Sequence, residues 1–222
     1  MPPMACRPTW TSSRGVGNPG FRTGSAEHEA ARNGVILMDM SFMAKFLVQG
    51  RDAGRILNHL SANNVDGPPG MITYTQWLDE AGKLQADLTV TKLGDEKFWV
   101  VASDTAHRHV ETWMRRHIEA DGGHAFVTDV TSGYAQINGQ GPRSRALMQS
   151  ITTCDLSNEA FPFRTAREID IGFARALCVR ITYLGELGYE RVAQASRPWR
   201  ARERRETGER GAGKPRFRCR WT

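Results

Sequence analysis

The sequence predicts an α+β fold, with largely antiparallel sheets and packed helices. Three observations carry that expectation. Period-two and period-3.6 segments are mixed without the regular strand–helix alternation that builds parallel sheets. The stretch "MITYTQWL", the turn "DEAG" and "KLQADLTVTKL" together read as a β-hairpin. At 222 residues the chain is long enough to bury a real core, and it contains no internal repeat.

Residues 1–24 are rich in Gly, Pro, Ser and Arg and read as a loose lead-in. Ser25 is a good N-cap for a short helix over "AEHEAARN", with acids in its first turn and Gly34 as the stop. "VILMDM" and "KFLVQG" read as strands, and "RDAGRILNHL" places Ala53, Ile56, Leu57 and Leu60 on one helical face. After the turn "VDGPPG" comes the hairpin. In its second strand Leu84, Ala86, Leu88 and Val90 should face the core, while Gln85, Asp87, Thr89 and Thr91 project from the polar side.

"KFWVVAS" is a further strand, and "DTAHRHVETWMRRHIEA" a helix with Val110, Trp113, Met114, His117 and Ile118 at three-and-four spacing. Strands follow at "AFVTDV" and "GYAQING", then a helix from about Pro142. "REIDIGF" and "ALCVRITYL" are the last strands before a Gly-Glu turn.

Charge is unevenly distributed. Residues 191–222 hold eleven Lys and Arg against three acids, a net of +8, whereas residues 1–190 net −2. The overall +6 therefore belongs to the end of the chain, and a nucleic-acid partner for the globular part does not follow from it. The four cysteines show no metal-ligand spacing, which favours a reducing compartment. No apolar run approaches the ~20 residues of a membrane helix, and the N-terminus lacks the apolar core of a secretion signal. A cytoplasmic location is expected, or a mitochondrial matrix in a eukaryote.

Two glycine patterns imitate nucleotide signatures. "GVGNPG" (Gly15, Gly17, Gly20) follows no strand, is interrupted by Pro19 and leads to no evident helix N-terminus. "GERGAGKP" has Pro215 where a magnesium-ligating hydroxyl belongs. His107 and His109, two apart on a helix, point to different faces and do not share a metal. Asp87 stands apart: a carboxylate on a strand's polar face, without a neighbouring base in sequence. It reads either as a solvated strand acid or as a cleft carboxylate able to accept a proton or stabilise a cation.

The segments "AEHEAARNGVILMDMSFMAKFLVQGRDA", "ANNVDGPPGMITYTQWLDEAGKLQADLTVTKL", "GPRSRALMQSITTCDLSNEAFPF" and "ITYLGELGYE" occur in an order that resembles one family. It is the folate-binding, aminomethyltransferase-like portion of sarcosine and dimethylglycine dehydrogenases, related to the glycine-cleavage T-protein. "RPTW" (Arg7–Trp10) resembles the tract where the flavin portion of those enzymes meets the folate portion.

The resemblance implies the first part of a T-protein-like fold over residues 25–190, with tetrahydrofolate as cofactor. It implies a catalytic role for Asp87, which matches the aspartate of the family's "DLTV" strand. Tyr74, Tyr183 and Glu190 match folate-contacting residues, the last two within a "Y-x-G-E-x-G-aromatic-E" motif. The implied reaction is capture of a one-carbon unit from an imine or aminomethyl donor, giving methylene-tetrahydrofolate. FAD would reside only in the family's N-terminal flavin portion, and a flavin-containing subunit is an implied partner beside folate and a small amine-derived substrate.

Past Glu190 the family continues through further arginines and a C-terminal β domain, none of which is matched here. Residues 191–222 are therefore expected to be a disordered, unrelated basic tail. The domain would be cut within a strand, with an unpaired sheet edge, poor solubility and impaired activity. Two other readings stand beside the enzymatic one: a non-catalytic folate-fold scaffold, and a nucleic-acid arm at residues 191–222 that would bind with strong salt dependence.

Overall fold

A computed structural model describes residues 19–172 and 174–194 of the chain. Its secondary structure runs α1 (Pro19–Asn33), β1 (Ile36–Asp39), β2 (Ala44–Gln49), α2 (Ala53–Leu60), β3 (Ile72–Leu78), β4 (Leu84–Gly94) and β5 (Lys97–Ala102). It continues through α3 (His107–Asp121), β6 (Phe126–Asp129), β7 (Tyr134–Gln140), α4 (Ser144–Gln149), β8 (Thr165–Ile171), β9 (Ala174–Arg180) and β10 (Gly188–Gln194). The strands form two five-stranded sheets, in the orders β3-β4-β5-β2-β6 and β1-β7-β10-β9-β8. Every strand pairing in them is antiparallel, as the absence of βαβ periodicity predicts.

The first sheet buries one face under α2 and α3. Phe46, Val48, Trp77, Leu88, Val90, Phe98 and Val100 meet Ile56 and Leu57 of α2 and Val110 and Met114 of α3 in one apolar cluster. These strand residues sit on one side of the pleat, which follows from alternation. The second sheet has its own apolar face, where Ile169, Cys178 and Tyr189 pack against Met148, Leu156 and Phe161 from α4 and the long connection after it. Burial pushes the Cys178 thiol up to about 12, so this cysteine is core filling rather than a nucleophile.

The remaining faces of the two sheets meet each other. Ile72, Ala166 and Val179 cluster together, with Leu177 and Ile181 packed against them. Elsewhere the Trp99 ring stands edge-on to Tyr134, with centroids 5.0 Å apart. Backbone bonds tie the sheets directly: Ile72 N–H donates to Arg164 O at 2.9 Å and Ala166 N–H to Gly70 O at 2.7 Å.

Several boundaries differ from the sequence expectation. Helix α1 begins at Pro19, inside the segment read as lead-in, so Ser25 is a mid-helix residue and not a cap. Proline is favoured at a first helical position, because its missing N–H would have no intrahelical acceptor there. A helix start thus does follow the Gly15–Gly17 pair. Leu84 is 62% exposed rather than core-facing. The register shifts between Trp77 and Leu78, pairing Trp77 with Ala86 but Leu78 with Leu84, and this breaks the alternation at the end of the hairpin.

The strand β10 runs through Gln194, four residues past the boundary drawn at Glu190. It lies in the middle of its sheet, hydrogen-bonded to β7 on one side and β9 on the other. The unpaired edge expected at this point is therefore absent, since both sides of β10 find acceptors and donors. The Arg7–Trp10 tract and residues 195–222 lie outside the described residues.

Gly50 closes the turn between β2 and α2 with φ +134°, and an added Cβ would sit 2.2 Å from the backbone oxygen of His124. Both the conformation and the close approach demand glycine. Gly50→Ala should destabilise the fold by about 3 kcal/mol, read as a lowered midpoint in urea denaturation.

Candidate functional site

In the hairpin Tyr74 lies opposite Thr89, and Gln76 opposite Asp87. Tyr74 and Asp87 therefore share a face as diagonal neighbours, within side-chain reach. The phenol feels the carboxylate: hydrogen bonding to Asp87 raises the Tyr74 pKa above the usual phenol range, with desolvation adding to it. Tyr74 is 52% exposed and Asp87 is exposed, so the pair stands at an open rim. Continuing across the sheet, Thr89 and Thr91 lie opposite Val101 and Trp99. The Tyr74–Asp87 face is thus the one that turns towards the second sheet through Ile72 and Trp99.

Glu190 belongs to the facing surface. It lies opposite Asn138 on β7 and Val179 on β9, and Val179 is part of the inter-sheet cluster. Its carboxylate is held by two amides: Gln136 Nε2 donates to Oε2 at 3.0 Å and Asn138 Nδ2 donates to Oε1 at 2.8 Å. Desolvation outweighs the two hydrogen bonds and lifts the Glu190 pKa to about 7. Gly188, two residues earlier, has the Gln140 side chain packed where a Cβ would be, at 2.2 Å, which explains a glycine in this motif.

The space between the sheets contains unfulfilled hydrogen-bonding capacity. Gln136 Oε1, Asn138 Oδ1, Gln140 Nε2 and Trp99 Nε1 are buried without a partner among the described residues. Such atoms cost about 1–3 kcal/mol each when left alone, a deficit that an ordered water or a polar ligand would remove.

Of the four residues singled out from the sequence, the structure sets Tyr74 and Asp87 as diagonal neighbours on one sheet and Glu190 on the opposing sheet. Tyr183 lies on the connection between β9 and β10, 73% exposed, and makes no hydrogen bond among the described residues. Sequence reasoning missed Gln136 and Asn138. Their signal was present, because "QINGQ" puts polar side chains at every second position of a strand, and a polar stripe facing another sheet needs an occupant.

His107, Glu111 and Asp129 form a separate group whose ligand atoms lie within 4.8 Å of one another. Arg115 donates to Glu111 at 3.1 and 2.9 Å, and His107 Nε2 lies 2.9 Å from Asp129, so each of the three already has a protein partner. His109 packs against Trp113, away from His107, as their spacing requires.

Two opposed antiparallel sheets with a carboxylate on each facing surface define a class of fold and site, and comparison with known proteins specifies it. The GCVT N-terminal domain family matches residues 7–201, and the chain belongs to this family. It is 35% identical over 183 residues to 4-methylaminobutanoate oxidase (formaldehyde-forming) of Paenarthrobacter nicotinovorans, covering 82% of this chain and 22% of that protein. It is 29% identical over 174 residues to human mitochondrial sarcosine dehydrogenase, covering 72% of this chain and 19% of that protein. The chain thus spans about a fifth of the length of these curated relatives.

Among solved structures, the glycine cleavage system aminomethyltransferase T of Bartonella henselae superposes with a TM-score of 0.69 at 22% identity. That likeness covers 83% of this chain and 48% of the other, and it establishes the fold. The sequence-predicted aminomethyltransferase-like α+β architecture is therefore correct, and the chain carries the partial extent of that fold. No helix among the described residues is long and apolar enough to cross a membrane.

The ionisation of Glu190 sets a pH dependence. An unfolded glutamate ionises near 4.5, whereas Glu190 holds its proton to about 7. Between these values the native state binds more protons than the unfolded state, so stability falls as pH rises through the window and levels off above it. The fall should be up to about 3 kcal/mol, measured by urea denaturation across the window, and Glu190→Gln should remove it.

Proposed function

We propose that this domain binds tetrahydrofolate between its two sheets and forms methylene-tetrahydrofolate from an imine or aminomethyl donor. The observation that carries the reading is the pairing of an open carboxylate–phenol couple, Asp87 with Tyr74, with a desolvated carboxylate, Glu190, among unpartnered buried polar atoms on the facing sheet.

The residues present suit a reduced pterin. A carboxylate accepts two parallel hydrogen bonds from the amino-amide edge of such a ring. Glu190 is an acceptor held by two neutral amides, and donors from a ligand would favour its ionised form. Bound here, tetrahydrofolate supplies the nucleophilic nitrogens that take up a one-carbon unit. Asp87, at the exposed end of the same inter-sheet surface, would stabilise a positively charged imine, accept the proton released on carbon–nitrogen bond formation, and return it to the donor nitrogen, whose bond to the carbon breaks as it leaves as the amine. Tyr74 orients that carboxylate. Tyr183, on its exposed connection, would contribute its ring to the same ligand.

The names of two relatives support this donor class. Two are named for the oxidation of N-methyl amines, 4-methylaminobutanoate and sarcosine, and the first is named as forming formaldehyde. An N-methyl amine such as sarcosine or dimethylglycine must lose two electrons before its carbon can be transferred. That step belongs to a flavin-containing partner or domain using FAD, and this domain receives the product.

Calorimetric titration of folinic acid into the purified chain tests the reading. The expected result is saturable binding at micromolar affinity. Asp87→Asn should change that affinity by less than about tenfold while lowering methylene-tetrahydrofolate formation from an imine donor by about 10²–10⁴-fold. A folded chain that does not bind folinic acid would overturn it.

A further inference from the structure

Gln136 and Asn138 are the residues around Glu190 whose chemistry is least explained by folding alone. They are 2% and 1% exposed. Each spends its amide N–H on the Glu190 carboxylate and keeps its carbonyl oxygen buried and unpartnered. If their only task were to fill space, the aliphatic side chains common on paired strands would do so without desolvating two amides. If their only task were to neutralise Glu190, no carboxylate would be needed at this depth.

Their backbone setting is rigid. Gln136 N–H is bonded to Ser41 Oγ at 3.0 Å and its carbonyl accepts from Met40 N–H at 2.8 Å. Asn138 is paired in register with Met38 of β1 on one side and Glu190 of β10 on the other. Neither amide hangs from a loop that could retract into solvent. The amides are oriented as a carboxylate requires: both NH₂ groups face the Glu190 oxygens, an arrangement that donors from a bound ring would reinforce by favouring the ionised acid, and both carbonyl oxygens are left over.

We infer that Asn138 and Gln136 determine ligand specificity, their spare carbonyl oxygens extending the Glu190 carboxylate into an acceptor cluster that selects a ring bearing an amino group beside a ring N–H. The inference rests on the proposed folate site and deepens it, because it assigns recognition of the amino-bearing edge to amides as well as to the acid. The two oxygens of Glu190 are each already engaged by one amide. A ring presenting several N–H donors therefore needs more acceptor capacity than the acid retains, and Gln136 Oε1 and Asn138 Oδ1 supply it. A ring lacking the amino group leaves at least one of these oxygens buried and unpaired, and buried unmatched acceptors are what give a polar site its discrimination.

The test is a cycle between protein and ligand. Wild type, Asn138→Leu and Gln136→Met would each be titrated with folinic acid and with an analogue carrying methyl in place of the 2-amino group. Circular dichroism would verify that each variant is folded. The near-isosteric Gln136→Met serves as the second arm if Asn138→Leu does not fold. Wild type should prefer folinic acid by at least about tenfold, and the preference should shrink to about threefold or less in a variant.

Two results would overturn the inference, and they are distinguishable. If a folded variant binds both ligands more weakly by the same factor, the amides act only by holding Glu190, and the folate site itself stands. If wild type binds neither ligand, the folate reading fails and the inference falls with it.

Discussion

The backbone seam between the two sheets is the constraint on which the rest of the structure depends. At this seam Gly70, Met71 and Ile72 run against Arg164, Thr165 and Ala166, with Met71 bridged to Thr165. Arg164 takes φ +63°, the one positive-φ residue other than glycine among the described residues. A left-handed residue with a side chain costs about 1–2 kcal/mol. The seam offsets that cost: Arg164 donates N–H to Arg180 O at 2.9 Å, accepts from Ile72 N–H, and returns its own Nε to Ile72 O at 3.1 Å. Gly70, at φ +87°, makes the matching turn on the other side, where a Cβ would press on Ala166 O at 3.0 Å.

This seam fixes which faces meet. With Ile72 anchored to Ala166 and Val179, strand alternation leaves no freedom about what else looks into the inter-sheet space. Tyr74 and Asp87 follow Ile72 on one sheet, and Glu190 and Asn138 lie beside Val179 on the other. The Trp99–Tyr134 contact holds a second part of the interface. What lies between is polar, and its environment comes from the sheets' own depth. Glu190 is shifted because water is excluded, and the two amide hydrogen bonds offset only part of the loss. Asp87, at the rim, keeps access to solvent. Two carboxylates in one fold thereby sit in different surroundings: the buried one is desolvated between two amides, and the exposed one stays open to water.

Much of this was legible in the primary structure. The hairpin over β3 and β4 follows from the alternation of "QADLTV", and Asp87 falls on the polar face as that alternation requires. The apolar spacing of α2 and α3 marks Ile56, Leu57, Val110 and Met114 as core, and all four are buried. Local propensity was less informative where pairing decides the outcome. The turn motif around Glu190 opens a strand, because β10 is completed by hydrogen bonds from β7 and β9 that no local signal encodes. Leu84 has the spacing of a core residue, yet a register shift at the hairpin end turns it outward.

The sequence by itself determined most of the secondary elements, though neither β10 nor the start of α1, together with the two amphipathic helices, the family and the individual acids and tyrosines worth attention. Periodicity and motif order are local properties, and they survive without knowledge of the fold. Only the tertiary structure decided that Glu190 faces the same space as Asp87, that Gln136 and Asn138 grip it, and that its proton is retained to about pH 7. Those are consequences of non-local pairing and of water excluded between two sheets. Desolvation depends on what is brought opposite a residue rather than on what stands next to it in the chain.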